Sequence, residues 1–266
     1  MTGQENAGSV HVTRAGAVAQ ITIDHQAKRN AMTLAMWQRL GQAVRALEFE
    51  DGVRAIVLRG AGPDAFVSGA DISALDPALH GNHADQSYEG ATKHALDAIR
   101  ISTKPTIALI HGFCFGAGVA IATACDLRYA RDDAKFSIPA AKLGFGYAVH
   151  LVDDLMKVVG PARAKEMLIA ARRYDAAEAE TMGLVHKVFA ASDFEDGALD
   201  IASDVAEHAP LTMRAAKVAV AALTEHKSSS ALTDADRAVA TCFSSKDATE
   251  GRTAFAEKRK PQFTGH

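Results

Sequence analysis

Three cysteines, seven prolines and a single tryptophan among 266 residues leave several architectures without their raw material. Cys114, Cys125 and Cys242 are odd in number, widely spaced and form no Cys-x-x-Cys pair, so neither a disulfide framework nor a zinc site is indicated. They read as small buried hydrophobes. No apolar run approaches the ~20 residues that cross a bilayer, and residues 1–16 lack the apolar core of a signal segment. A cytoplasmic location is therefore the expectation, with no membrane partner. The formal net charge is only -3, and without a long basic face nothing recruits nucleic acid. No low-complexity linker divides the chain, so a single domain over residues 1–266 is expected.

What the chain has is apolar residue, 48% hydrophobic against 23% charged, the proportion of a sequence that folds around a core. Residues 17–24 alternate, with Ala17, Ala19, Ile21 and Ile23 on one side and Gln20, Thr22 and Asp24 on the other, the pattern of a half-buried strand. Residues 10–13 supply its hairpin partner. From Thr33, a good N-cap, Met36, Trp37, Leu40, Val44 and Leu47 recur at helical spacing until Asp51 and Gly52 end the run. A strand at 53–58 completes a ββα-like opening. The theme returns with a helix at 91–101 and, after Pro105, an apolar strand at 106–110. Short strands are expected at 125–130 and 135–138, then a helix from 147 to 159. Beyond Pro161 nearly everything is helical in pattern, including 211–223 and 231–243. That late block carries more apolar surface than it can bury alone, so it packs on the first part or on a neighbouring subunit.

The most chemical-looking segment is Ile110-His-Gly112-Phe-Cys-Phe-Gly116-Ala-Gly118, a buried strand running into glycines. Its Gly-x-x-x-Gly-x-Gly spacing is one that short-chain dehydrogenases set against a pyrophosphate at a helix N-terminus. Two features weigh against that reading. The loop begins past residue 110 rather than after a first strand, and no lysine stands four positions beyond Tyr88, Tyr129, Tyr147 or Tyr174. A plainer use of the glycines is tight helix packing. A companion segment, Asp64-Ala-Phe66-Val-Ser-Gly69-Ala70-Asp71-Ile72, follows the strand at 53–58. Two such loops facing one pocket offer backbone N–H groups backed by the positive ends of short helices, which is what stabilises the negative oxygen of a thioester enolate.

In order and spacing, Lys28-Arg-Asn-Ala31, Ala65-Phe-Val-Ser-Gly-Ala-Asp-Ile72, His111-Gly-Phe-Cys-Phe-Gly-Ala-Gly118, Cys125-Asp126 and the C-terminal Glu250-Gly-Arg-Thr-Ala-Phe-Ala-Glu-Lys-Arg-Lys-Pro-Gln-Phe263 resemble the enoyl-CoA hydratase/isomerase (crotonase) superfamily over nearly the whole chain. The resemblance implies an α/β fold: a crotonase-type spiral of ββα units over about residues 1–200, with a helical C-terminal oligomerisation region over about 201–266. It implies a homotrimer, or a hexamer formed as a dimer of trimers. The substrate it implies is an acyl-CoA thioester, with no separate cofactor and no metal. By the same resemblance the backbone N–H groups of Ala70 and Ala117 are the oxyanion-hole donors. Adenine would lie near Ala70, Asp71 and Ile72 and the phosphates near Lys28 and Arg29, with Ala31 and Gly116 also at the substrate. Lys258 and Lys260 read as solvated surface lysines, or reach the phosphates of a neighbouring subunit.

The chain departs from the family at two places. Relatives that hydrate enoyl-CoA carry one glutamate in the helix after the glycine loop and a second after the following proline; here those positions are Ala120 and Ala140. Alanine moves no proton, and general acid–base catalysis is worth ~10²–10⁴-fold in rate, so at most trace hydration is expected. One oxyanion donor is worth about 3–4 kcal/mol, which still leaves enolate chemistry: isomerisation, or decarboxylation of a malonyl-type CoA, where departing CO2 creates the enolate without a base. Tyr147 and His150 are the candidate replacements, at i,i+3 on one helix face, with Asp153 either orienting the imidazole or standing in solvent. Asp154 reads as helix surface. His80 and His83 read as surface histidines, His111 as a turn-holding residue and Asp71 as a loop-ordering carboxylate. The alternative function is a non-catalytic acyl-CoA binder.

Overall fold

The computed structural model describes residues 8–71, 88–226 and 228–266. The expected hairpin is β1 (Ser9–Ala15) and β2 (Val18–Asp24), paired antiparallel from Ser9 with Asp24 to Ala15 with Val18. Thr33 caps α1 (Leu34–Glu48) by accepting from the Met36 N–H, and the helix buries Met36, Trp37, Leu40, Val44 and Leu47, the stripe its 3.6-residue period sets. Then comes β3 (Ala55–Gly60), which lies parallel to β2.

From here each long strand hands on to a short one in a second sheet. β3 leads to β4 (Ala65–Val67), β5 (Thr106–Ile110) to β6 (Phe113–Phe115), and β7 (Leu127–Arg131) to β8 (Lys135–Ser137). The large sheet runs β1-β2-β3-β5-β7-β10, ending in β10 (Lys187–Phe189), and the small one runs β4-β6-β8-β9, ending in β9 (Tyr174–Asp175). β3, β5 and β7 are parallel neighbours in the first sheet, and β4, β6 and β8 in the second. This stepwise advance is the mixed α/β spiral that the resemblance implied. The sequence reading puts loop where β4 and β6 stand, because three residues between glycines carry no measurable period.

Both faces of the large sheet are covered, as the unbroken apolar runs of its parallel strands require. Ile56 and Leu58 point into one core cluster with α1 and α2 (Tyr88–Ile101). Val57 and Leu109 point into the other, against Phe194, Ala198 and Ala202 of α7 (Phe194–Glu207). Two short-range expectations change. The helix foreseen from Tyr147 begins at Val149: α4 (Ala140–Leu143) comes first, then a turn through Gly144 and Gly146, then α5 (Val149–Ala170), broken at Gly160 beside Pro161. Cys114 and Cys125 are buried as expected, whereas Cys242 is only half-buried.

Beyond α5 the chain is helical apart from β9 and β10, with α6 (Ala176–Thr181), α8 (Pro210–Ala221), α9 (Ser229–Ser244) and α10 (Lys246–Glu257). Lys217 on α8 ties this region to the spiral by donating to Asp126 Oδ2 at 2.6 Å and to the Lys104 carbonyl at 3.1 Å. Val220, Leu223, Leu232, Val239 and Phe243 remain exposed. Among the described residues no helix is long and apolar enough to cross a membrane.

Candidate functional site

Because β4 and β6 pair in parallel, the loops that leave them emerge side by side. One holds residues 68–71. The other runs through Gly116 into α3 (Ala117–Ala124). They touch at their glycines: a Cβ on Gly116 would lie 3.9 Å from Gly69 Cα.

The backbone pattern aims Ala70. Met32 N–H donates to the Gly69 carbonyl and the Met32 carbonyl accepts from Asp71 N–H, both at 2.9 Å. In a parallel bridge these bonds use the residues flanking Ala70, so its own N–H is turned to the opposite side. Among the described residues no backbone carbonyl accepts from it. The loop is laced to the Lys28-Arg-Asn-Ala31 segment: Ser68 N–H donates to the Arg29 carbonyl at 3.1 Å, and Lys28 Nζ donates to the buried Asp71 carboxylate at 2.8 Å. Asp71 thus orders its loop as expected.

Arg29 and Asn30 both sit at positive φ, 51° and 59°, a conformation that costs energy for side-chain-bearing residues unless the surroundings fix it. Asn30 does the fixing. Its amide Nδ2 donates to the carbonyls of Ala61 (2.9 Å) and Ala65 (2.7 Å), and its Oδ1 accepts from His25 N–H at 2.9 Å. Asn30 stands inside the Lys28-Arg-Asn-Ala31 motif with no role assigned from sequence; an asparagine between Lys-Arg and an apolar residue is the visible signal, since Asn tolerates this region best after glycine. Ala31 is buried, its carbonyl hydrogen-bonded to His25 Nδ1.

Ala117 is the first residue of α3, where N–H groups have no intrahelical acceptor and the helix end is positive. Gly118 is forced by contact: a Cβ there would lie 2.3 Å from the Val67 carbonyl oxygen, so only glycine lets α3 press on β4. Gly116 takes φ 49° and ψ −99°, reachable at little cost only without a Cβ.

Ala120 lies one turn into α3 and is 1% exposed, within the main apolar cluster, while Ala140 opens α4 and is half-buried. Tyr147 and His150 do not share a helix face, because Tyr147 precedes α5. Its hydroxyl donates to the Gly116 carbonyl at 3.2 Å, and burial pushes the phenol well above its ordinary range, with Cys114 and Asp154 adding to this. His150 is half-buried, and its Nε2 has no hydrogen-bond partner among the described residues. Burial first, then the Arg100 guanidinium, holds the imidazole below its ordinary value, so it is neutral near pH 7. Asp153 does not orient it; it pairs with Lys157 at 2.8 Å. Asp154 is buried rather than on the surface, because Arg100 Nε from α2 donates to it at 2.9–3.0 Å.

Outside these loops a groove of about 480 Å³ is lined by Ala27, Lys28, Arg29, Ser68, Phe113, Phe115 and Arg173. The Arg29 guanidinium lies 5.0 Å from the Phe113 ring centroid and Arg173 lies 5.7 Å from that of Phe115. Arg173 is absent from the sequence-based set, since nothing local places β9 beside β8. His111 is 2% exposed, packed edge-on against Phe194 and held below its ordinary value by burial first and then by Arg131; its Nε2 has no hydrogen-bond partner among the described residues. Lys260 pairs with Glu207 and is exposed, and Lys258 ends α10. Ile72, His80 and His83 lie outside the described residues.

A family model described as enoyl-CoA hydratase/isomerase matches residues 13–266. The chain is 31% identical to a short-chain-enoyl-CoA hydratase of Clostridium acetobutylicum, over 95% of this chain and 96% of that one. It is 32% identical to a carnitinyl-CoA dehydratase of Proteus mirabilis, over 97% and 98%. Among solved structures, an enoyl-CoA hydratase/carnithine racemase from Magnetospirillum magneticum superposes with a TM-score of 0.89 at 33% identity, covering 99% of this chain and 100% of that one.

Proposed function

The chain belongs to the enoyl-CoA hydratase/isomerase family, and from that premise we propose that it acts on an acyl-CoA thioester through an enolate, without the carboxylate pair used for hydration. One observation carries the reading. Two backbone N–H groups on touching loops, those of Ala70 and Ala117, are left without backbone acceptors among the described residues, while Ala120 and Ala140, where relatives that hydrate carry glutamates, offer no acid or base.

In this reading the thioester oxygen accepts from both N–H groups, and the positive end of α3 faces the charge that develops there. A malonyl-type CoA needs no base: the carbon–carbon bond to the carboxylate breaks, CO2 departs, and the electron pair becomes the enolate. His150, neutral and with a buried Nε2 that no described group engages, relays the proton that then reaches the α-carbon; for isomerisation it takes one proton and returns it. The Tyr147 hydroxyl is already engaged at Gly116. Arg29 and Arg173 provide positive charge for the CoA phosphates, which a guanidinium binds well, and Lys28 supports the Asp71 loop. No cofactor beyond the CoA of the substrate is required. The exposed apolar residues of α8 and α9 support assembly as a trimer or a hexamer.

The test is CO2 release from malonyl-CoA beside hydration of crotonyl-CoA, the latter followed as loss of the conjugated thioester absorbance. CO2 release above background with hydration at background is expected. Robust hydration would overturn the reading. The second reading, a non-catalytic acyl-CoA binder, is favoured by the two alanines; it requires tight thioester binding with no turnover of any kind.

A further inference from the structure

We propose that Tyr147 is a positioning residue, whose hydroxyl clamps the Gly116 carbonyl and so keeps the Ala117 N–H aimed at the bound thioester. The inference rests on the enolate reading above and extends it to a residue that does not touch the reacting atoms.

The peptide joining Gly116 to Ala117 is planar and trans, so the direction of the Gly116 carbonyl dictates the opposite direction of the Ala117 N–H. Gly116 is free to rotate as no other residue is, and a flip of this one peptide would turn the N–H away from the pocket. Two donors hold this peptide, and a third bond anchors the one before it. Ala120 N–H donates to the Gly116 carbonyl at 3.0 Å from within α3, Tyr147 Oη donates to the same oxygen at 3.2 Å from the turn before α5, and Gly116 N–H donates to the Ser137 carbonyl at 2.9 Å in β8. The carbonyl's two lone pairs are thereby filled. Of the two donors to this oxygen, the hydroxyl is the one outside the local helix.

A second effect works in the same direction. A donor on the carbonyl polarises the peptide and strengthens its N–H as a donor. The alternative use of Tyr147, as the group that transfers a proton, fits less well: its proton already lies on a carbonyl and burial disfavours its ionised form.

The test is an ultraviolet titration of acetoacetyl-CoA, whose enolate absorbs where the keto form does not; its α-proton is lost to the buffer. Wild-type protein is expected to raise the enolate fraction above that of the free ligand at the same pH. Tyr147→Phe is expected to lower the bound enolate fraction about 3- to 10-fold, the usual worth of one hydrogen bond, while affinity for CoA itself is unchanged. An equal enolate fraction in wild type and Y147F overturns the role of Tyr147 and leaves the enolate reading standing. No enrichment in wild type overturns the enolate reading and this inference with it. Should Y147F fail to fold, 3-fluorotyrosine at the same position supplies a stronger donor of the same shape. It should raise the enolate fraction; no change overturns the proposal.

Discussion

Ala120 and Ala140 occupy different surroundings, and their substitution should separate accordingly. Ala120 is buried among Val119, Ile121 and the rest of the main cluster, where a carboxylate meets a desolvation cost and a raised pKa. Ala120→Glu is expected to lower stability by about 1–3 kcal/mol, read as a fall in Tm, whereas Ala140→Glu at its half-buried position should leave Tm nearly unchanged. Equal effects would contradict the packing described for α3. Gly118→Ala is harsher: with its Cβ 2.3 Å from the Val67 carbonyl, α3 must lift off β4. Acyl-CoA turnover should fall at least tenfold, checked at saturating substrate. That Ala70 and Ala117 stand on adjacent loops was legible from their motifs. The surroundings of His150 were not, because they depend on Arg100 of α2 reaching across to Asp154 of α5, a contact between distant segments that no local pattern encodes.

Two three-residue strands, β4 and β6, do most to build the site, and they were the elements the sequence concealed. Their lengths lie below what alternation can reveal, and their pairing joins residues nearly fifty positions apart. The longer elements were legible because α1 and β2 repeat their period over whole turns and pleats. What stabilises the strand ends is local chemistry, above all Asn30 bridging to Ala61 and Ala65. Asn30→Ala removes three hydrogen bonds and leaves a less tolerant residue at φ 59°. A loss of about 2–4 kcal/mol is expected from unsatisfied buried groups, measured by urea unfolding. A variant within about 0.5 kcal/mol of wild type would show that other contacts fix this segment.

Across the whole molecule, three histidines titrate together in effect. His111, His150 and His186 are each held below their ordinary value, burial being the first cause in every case and nearby arginines the second. The unfolded chain protonates them below about pH 6.5, while the folded chain resists, so the unfolded state binds more protons and stability falls as pH drops. Tm should decline from neutral pH toward pH ~5.5, before the carboxylates contribute, and His150→Asn should flatten part of that slope. A pH-independent Tm over this window would contradict the burial of these rings. At the same scale, Val239 and Phe243 on α9 are exposed apolar residues, and under the trimer or hexamer proposed above Phe243→Asp is expected to shift sedimentation toward a smaller species.

Whether a thioester enolate forms here without a carboxylate pair is decided by hydrogen exchange at the α-carbon of butyryl-CoA in D2O, followed by nuclear magnetic resonance with the wild-type protein. Deuterium is expected to enter the α-position faster than in buffer alone, with the gain lost in His150→Ala. A thioester that binds tightly yet keeps its α-protons would contradict the enolate reading.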